Sequence, residues 1–263
     1  MVRRSPGILA DNATRPGCGS VDAVEGEPSQ QAVAPPPRWG LGAFVLVALT
    51  YLAVSAVLAG GLASGVGPVS AGSLAVAVVV PTAAAAGLAV LVTILRGNGP
   101  RADLRLHWSW REIRMGLMFG FGGMLVTIPA SMVYRAVVGP GANSTVGRIF
   151  GGLRAGWPWA VAVLLIVVII GPLCEEIVFR GLLWGAVERR WGRWAALVVS
   201  TLVFALAHLE FTRAPLLVVV AIPIALARWY SGGLLASIVA HQVTNLLPGI
   251  VLMLGLLGAV PTS

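Results

Sequence analysis

Between Arg38 and Arg96 the chain carries no Asp, Glu, Lys, Arg or His side chain, and residues 157–174, "WPWAVAVLLIVVIIGPLC", carry none either. Uncharged apolar runs of ~18 residues or more are long enough to cross a ~30 Å hydrocarbon core as helices. Composition agrees. An average soluble domain has about 25% charged residues, whereas this chain of 263 residues has 11%, beside 57% hydrophobic residues. Its mean hydropathy is +0.89. The expectation is an all-α, polytopic integral membrane bundle of about seven (seven or eight) transmembrane helices, multi-pass in the cell membrane with the lipid bilayer as its solvent.

Seven spans are expected, near 41–63, 73–95, 115–138, 158–186, 194–209, 214–230 and 233–258. They divide the chain into a disordered cytoplasmic segment (1–40), N-terminal transmembrane helices (41–140) and a C-terminal set of spans (158–258). The first segment is rich in Pro and Gly and contains acids, and no apolar core follows Arg3 and Arg4, so it does not read as a secretory signal. Cys18 and Cys174 lie in unlike settings and make no disulfide framework.

The net charge of +8 comes from Arg without any Lys. No basic run is interleaved with aromatics, so the charge reads as membrane anchoring and no nucleic-acid partner is expected. Arg96, Arg101, Arg105, Arg111 and Arg114 cluster after the second span, and Arg189, Arg190 and Arg193 after the fourth. The positive-inside tendency puts both loops in the cytoplasm. Arg135, Arg148 and Arg154, after the third span, run against that assignment. Trp108 and Trp110 read as interfacial anchors, and His107 beside them has no assigned role.

Charge reappears inside the fourth span, in "CEEIVFR" at 174–180. An ionisable side chain in hydrocarbon costs at least ~2.5–3.5 kcal/mol on insertion scales, so such groups pair or line a polar cavity. Glu176 and Arg180 are spaced i,i+4 with Glu first, the favourable order for a helical ion pair. Glu175 lies roughly 100° round the helix, with no partner in its own span. Gly171 and Pro172 just before it loosen the backbone. Cys174 beside it reads as a packing residue.

Two further i,i+4 pairs stand in other spans: Phe204 and His208 in "FALAH", His241 and Asn245 in "HQVTN". Counting residues to the cytoplasmic ends puts Glu175, His208, His241 and Asn245 ~12–22 Å deep. Three spans thus bring a carboxylate, two imidazoles and an amide to overlapping depth. Each taken singly is as well explained by helix packing; their convergence points to a site.

The motifs "EEIVFRG", "FALAH" and "HQVTN", in that order, resemble the EExxxR, FxxxH and HxxxN motifs of the CPBP family. That family comprises type II CAAX prenyl endopeptidases and bacteriocin-processing or immunity intramembrane proteases. The likeness covers about residues 158–247. It implies Glu175 as general base on water with His208 beside it, Glu176 and Arg180 as its paired neighbours, and His241 with Asn245 binding the oxyanion. It also implies a peptide or membrane-protein substrate that is prenylated, lipidated or membrane-associated, and in one description a metalloprotease.

The chemistry of the residues agrees. A partly desolvated Glu has the raised proton affinity of a general base, and His and Asn can donate to an oxyanion in a low-dielectric site. Glu175, His208 and His241 could alternatively hold Zn²⁺, although HExxH is absent; metal-free and zinc-dependent chemistry both stay open. Two other classes remain. A non-catalytic CPBP-like scaffold or bacteriocin-immunity factor would not need the intact motif residues. A proton-coupled transporter predicts internal repeats, and none is evident in the span pattern.

Overall fold

The computed structural model describes residues 35–65 and 69–260; the expected disordered segment lies almost wholly outside them. The described residues form helices α1 (Leu41–Ala63), α2 (Ala71–Arg96), a short α3 (Pro100–Asp103) and α4 (Trp110–Val138). After a 3₁₀ turn come a short α5 (Thr145–Phe150) and α6 (Trp157–Leu165). The chain continues without a loop through a π-helical segment π1 (Ile166–Ile170), α7 (Gly171–Glu176), a second π-helical segment π2 (Ile177–Leu183) and α8 (Trp184–Ala207). Helices α9 (Ala214–Ser231) and α10 (Leu234–Leu256) close the bundle.

Among the described residues six helical stretches are long and apolar enough to cross a bilayer, and the longest, Trp157–Ala207, runs for 51 residues. It is not straight. Gly192, at φ 83 and ψ 175, breaks the helix inside α8. Phe179 and Phe204 on either side of it have ring centroids 5.3 Å apart, where an unbroken helix would separate them by roughly 37 Å. The stretch is therefore a hairpin, and its two arms are the fourth and fifth spans expected from the sequence. A positive φ of this size is cheap only for glycine.

Two features position the site. Helix α4 packs on α10 and α9 through a seam of small residues. A Cβ on Gly116 would come within 2.6 Å of Val239 Cβ and 2.7 Å of the Ala236 carbonyl oxygen, and one on Gly120 within 2.7 Å of Val243 Cβ. Without a hydrophobic drive between helices in lipid, such close backbone approach is what holds neighbours together. The second feature is the start of α10. Glu112 of α4, nearly fully buried, accepts a hydrogen bond from the Ala236 N–H at 3.4 Å. That N–H is one of the four left unpaired at a helix N-terminus, so a carboxylate from a different helix caps α10. His107 Nε2 lies 2.9 Å from Glu112 Oε1, which gives this histidine a contact the sequence did not suggest. A buried apolar cluster, with Ala86 and Ala89 of α2, Ile177, Val178 and Leu182 of π2 and Ile238 of α10, backs the glutamate-bearing turn. Cys174 is a free, buried member of it, as a packing residue would be.

Candidate active site

The glutamates sit on α7, a six-residue piece of α-helix between two π-helical segments. π-helical turns widen the helix by one residue and turn the following side chains relative to an α-helix; they occur mostly at functional sites. Pro172, in the first turn of α7, removes a backbone donor in the same place.

Glu176 and Arg180 pair as their spacing predicts. Arg180 Nη1 donates to Glu176 Oε1 at 3.0 Å, and both side chains are fully buried. The same carboxylate oxygen is 2.9 Å from His241 Nδ1 of α10. The opposite nitrogen of that imidazole, Nε2, is 3.8 Å from Glu175 Oε2. Glu175 is the more accessible of the two acids, with 28% of its side chain exposed. Four of the six expected residues, Glu175, Glu176, Arg180 and His241, are thus one polar cluster, with His241 as the bridge between the two acids.

His208 stands at the C-terminal end of α8. Its Nδ1 is 2.8 Å from the Phe204 carbonyl oxygen, which uses the i,i+4 spacing of "FALAH". The Phe204 ring lies 4.7 Å from the His208 ring and 5.6 Å from the His241 ring, centroid to centroid. The Arg180 guanidinium sits over the same phenyl ring at 4.3 Å, a cation–π contact that helps hold a buried cation. His208 therefore reaches the cluster through Phe204, and the imidazole that stands beside Glu175 is His241. Asn245, one turn beyond His241, donates from Nδ2 to the Val167 carbonyl oxygen at 3.1 Å.

These contacts dictate the tautomers. A carbonyl oxygen only accepts, and so does a carboxylate already paired with Arg, so Nδ1 carries the proton in both histidines. The neutral rings then present an Nε2 lone pair, which accepts a proton; they become donors at Nε2 only as imidazolium.

The zinc set, Glu175, His208 and His241, is not gathered into one cluster. Among the described residues no group of three or more His, Cys, Asp or Glu side chains is placed to hold one. A zinc site needs three or four protein ligands at about 2.0–2.3 Å in tetrahedral array; both Nε2 atoms are open to a metal, but His241 is the imidazole beside Glu175 and His208 meets the cluster through the Phe204 ring.

Sequence reasoning missed three supports of the cluster. Arg228 of α9 is buried and donates from Nε to the Arg180 carbonyl oxygen at 3.2 Å; in the sequence it looks like an ordinary flanking arginine at a span end. Glu112 caps α10, and its only signal was an acid among interfacial arginines. Glu210, two residues past His208, pairs with Arg213 at 2.8 Å and accepts a hydrogen bond from the Thr145 N–H at the start of α5.

Comparison with known proteins bears on this stretch. Residues 157–247 match the family model described as type II CAAX prenyl endopeptidase Rce1-like. An uncharacterized 24.3 kDa protein of Escherichia coli is 34% identical over 91 residues, covering 32% of this chain and 42% of its own length. The chain thus spans less than half of that relative. No solved structure matches. The cluster from Glu175 to Asn245 falls wholly inside the matched stretch, and the match is consistent with the CPBP resemblance of the three motifs.

Proposed function

We propose that this chain is an intramembrane endopeptidase that hydrolyses a peptide bond of a prenylated, lipidated or membrane-associated peptide or protein, with water activated by Glu175. The observation that carries the reading is the bridging imidazole: His241 is held by Glu176 at 2.9 Å and turned toward Glu175 at 3.8 Å. Two groups at the latter spacing can both contact one water oxygen at ordinary hydrogen-bond distances of about 2.7–3.0 Å.

Water bound there gives a proton to the Glu175 carboxylate as its oxygen attacks the substrate carbonyl carbon. The C=O π bond opens to a tetrahedral oxyanion. Glu175 passes that proton to the His241 Nε2 lone pair; collapse then expels the amine, which takes the proton from the imidazolium, and leaves a carboxylic acid that releases its own proton to solvent. Glu176 plays the part of the buried acid in an acid–histidine pair: it sets the His241 tautomer and stabilises the imidazolium when the ring takes the proton. Arg180 in turn pairs with Glu176, so neither charge is buried alone. His208, with Nδ1 tied to Phe204, is the second proton-handling group. His241 as imidazolium and the second N–H of the Asn245 amide supply donors for the oxyanion.

The test is cleavage of quenched peptides, with and without a C-terminal prenyl-cysteine, by the purified protein in lipid nanodiscs. Cleavage by the wild type and none by Glu175→Gln is the expected result. Equal cleavage by both removes Glu175 from the chemistry. Cleavage by neither, across prenylated and unmodified membrane peptides, favours the non-catalytic alternative.

A further inference from the structure

We propose that Asn245 is a positioning residue: its side-chain amide supplies the N–H that Pro172 lacks, and so locks the π-helical turn that aims Glu175 and Glu176. The inference rests on the reading of Glu175 as the acting base, and it changes what Asn245 does in that site.

In π1 the backbone ladder runs from each N–H to the carbonyl five residues back. The Gly171 N–H donates to the Ile166 carbonyl oxygen in this way. The next rung would run from residue 172 to the Val167 carbonyl oxygen, but residue 172 is proline and has no N–H. In an apolar segment an unpaired carbonyl is costly and is almost always satisfied by another donor. The donor here is Asn245 Nδ2, 3.1 Å from the Val167 oxygen. The choice of carbonyl is informative. In α-geometry the orphan left by Pro172 would be Val168, four residues back. By engaging Val167, Asn245 stabilises the π register over the α one.

Helix α10 is built to make this contact. His241, Asn245 and Gly249 follow at i, i+4 and i+8 on one face. His241 meets Glu176, Asn245 meets Val167, and Gly249 lets the two helices close, since a Cβ there would lie 2.5 Å from Val168 Cγ2. The three contacts act as a ruler that holds π1 and α7 at a set height against His241. Collapse of the π turn to α would delete one residue from the register and swing Glu175 by roughly 100°, away from His241 Nε2.

A double-mutant cycle tests this. Pro172→Ala restores the backbone N–H, so it should make Asn245 dispensable for the turn. Thermal unfolding and amide hydrogen exchange over residues 173–178 are measured in nanodiscs for the wild type, Asn245→Ala, Pro172→Ala and the double variant, and peptide turnover is measured beside them. Asn245→Ala should lower the unfolding midpoint and speed exchange in 173–178 by ~10-fold or more, the scale of one lost buried hydrogen bond. Pro172→Ala alone should behave near wild type. The double variant should recover most of the midpoint and exchange protection, while its kcat stays below wild type by the lost oxyanion donor, about 10²–10³-fold. If Asn245→Ala fails to accumulate in membranes, recovered accumulation in the double variant supports the proposal and continued failure overturns it. Additive losses with no recovery would show that Asn245 acts only on the reacting group. The stability and exchange arms need no cleavage, so they decide the role of Asn245 even where the protease reading fails in the Glu175→Gln test.

Discussion

His241 and Glu176 are joined at 2.9 Å through the Nδ1 side of the imidazole, although 65 residues separate them in the chain. That one contact orients the ring so that its Nε2 faces Glu175. It divides the two adjacent acids into one that holds and one that is free to act.

Glu175→Gln should abolish hydrolysis and leave the unfolding midpoint near that of the wild type, because this side chain is partly exposed and breaks no buried pair. Glu176→Gln should instead destabilise by about 3–5 kcal/mol, since it strands the fully buried Arg180. Chemical or thermal unfolding of both variants in nanodiscs checks the difference. Equal loss of stability would mean that both acids are structural.

The glycine seam of α4 gives a graded test. Gly120→Ala should cost ~1–3 kcal/mol, the range for overpacking, because the new Cβ would sit 2.7 Å from Val243 Cβ on the helix that carries His241. Gly122→Ala is the control: nothing lies within 4 Å of its Cβ, so it should be neutral or slightly stabilising. Turnover should fall with Gly120→Ala alone, because α10 moves with its histidine.

Glu210 makes the fold beside His208 sensitive to acid. Burial pushes its carboxyl up, but the hydrogen bonds from Thr145 and the Arg213 guanidinium outweigh burial and hold it below the usual carboxylate range. A depressed folded-state value stabilises the fold above the unfolded value of about 4.3, and that stabilisation is lost as pH falls through the folded value. The unfolding midpoint should therefore drop on acidification below about pH 5, and Glu210→Gln should lower the midpoint at pH 7 while flattening that part of the profile. Hydrogen exchange in residues 145–150 and 208–213 should rise together. A profile unchanged by the substitution would sink this role for Glu210.

Exhaustive chelation should leave peptide cleavage intact, and mass spectrometry should find substoichiometric zinc in the purified protein. The ground is the placement of the ligands: Glu175 lies beside His241, while His208 meets the cluster through the Phe204 ring. Stoichiometric zinc that disappears in His208→Ala would overturn it.

Much of this protein was legible in single windows of sequence. Charge exclusion alone marks the spans, because hydrocarbon penalises every ionisable group regardless of what surrounds it. The hairpin around Gly192 follows from Arg189, Arg190 and Arg193 interrupting two apolar runs. The Glu176–Arg180 pair is a property of one helical turn and was readable from spacing. Three motifs in three spans also pointed to Glu175, Glu176, Arg180 and His241, which the bundle gathers into one polar cluster.

The partnerships across helices were decided by the tertiary structure. The sequence offered His208 as the neighbour of Glu175, and packing put His241 there. Which imidazole reaches which acid depends on the rotation and height of α10. Those are set by the α4 glycine seam, by the Glu112 cap and by contact with π1, whose partner residues all lie outside the "HQVTN" window. The direction of Glu175 depends on two π-helical segments, where a wider turn breaks the 3.6-residue period used to read a helix face. Asn245 finds its acceptor because Pro172, 73 positions earlier in the numbering, leaves a carbonyl free. Contacts within a turn are fixed by covalent spacing; contacts between helices are the sum of many small packing choices, and they exist only once the whole bundle has closed.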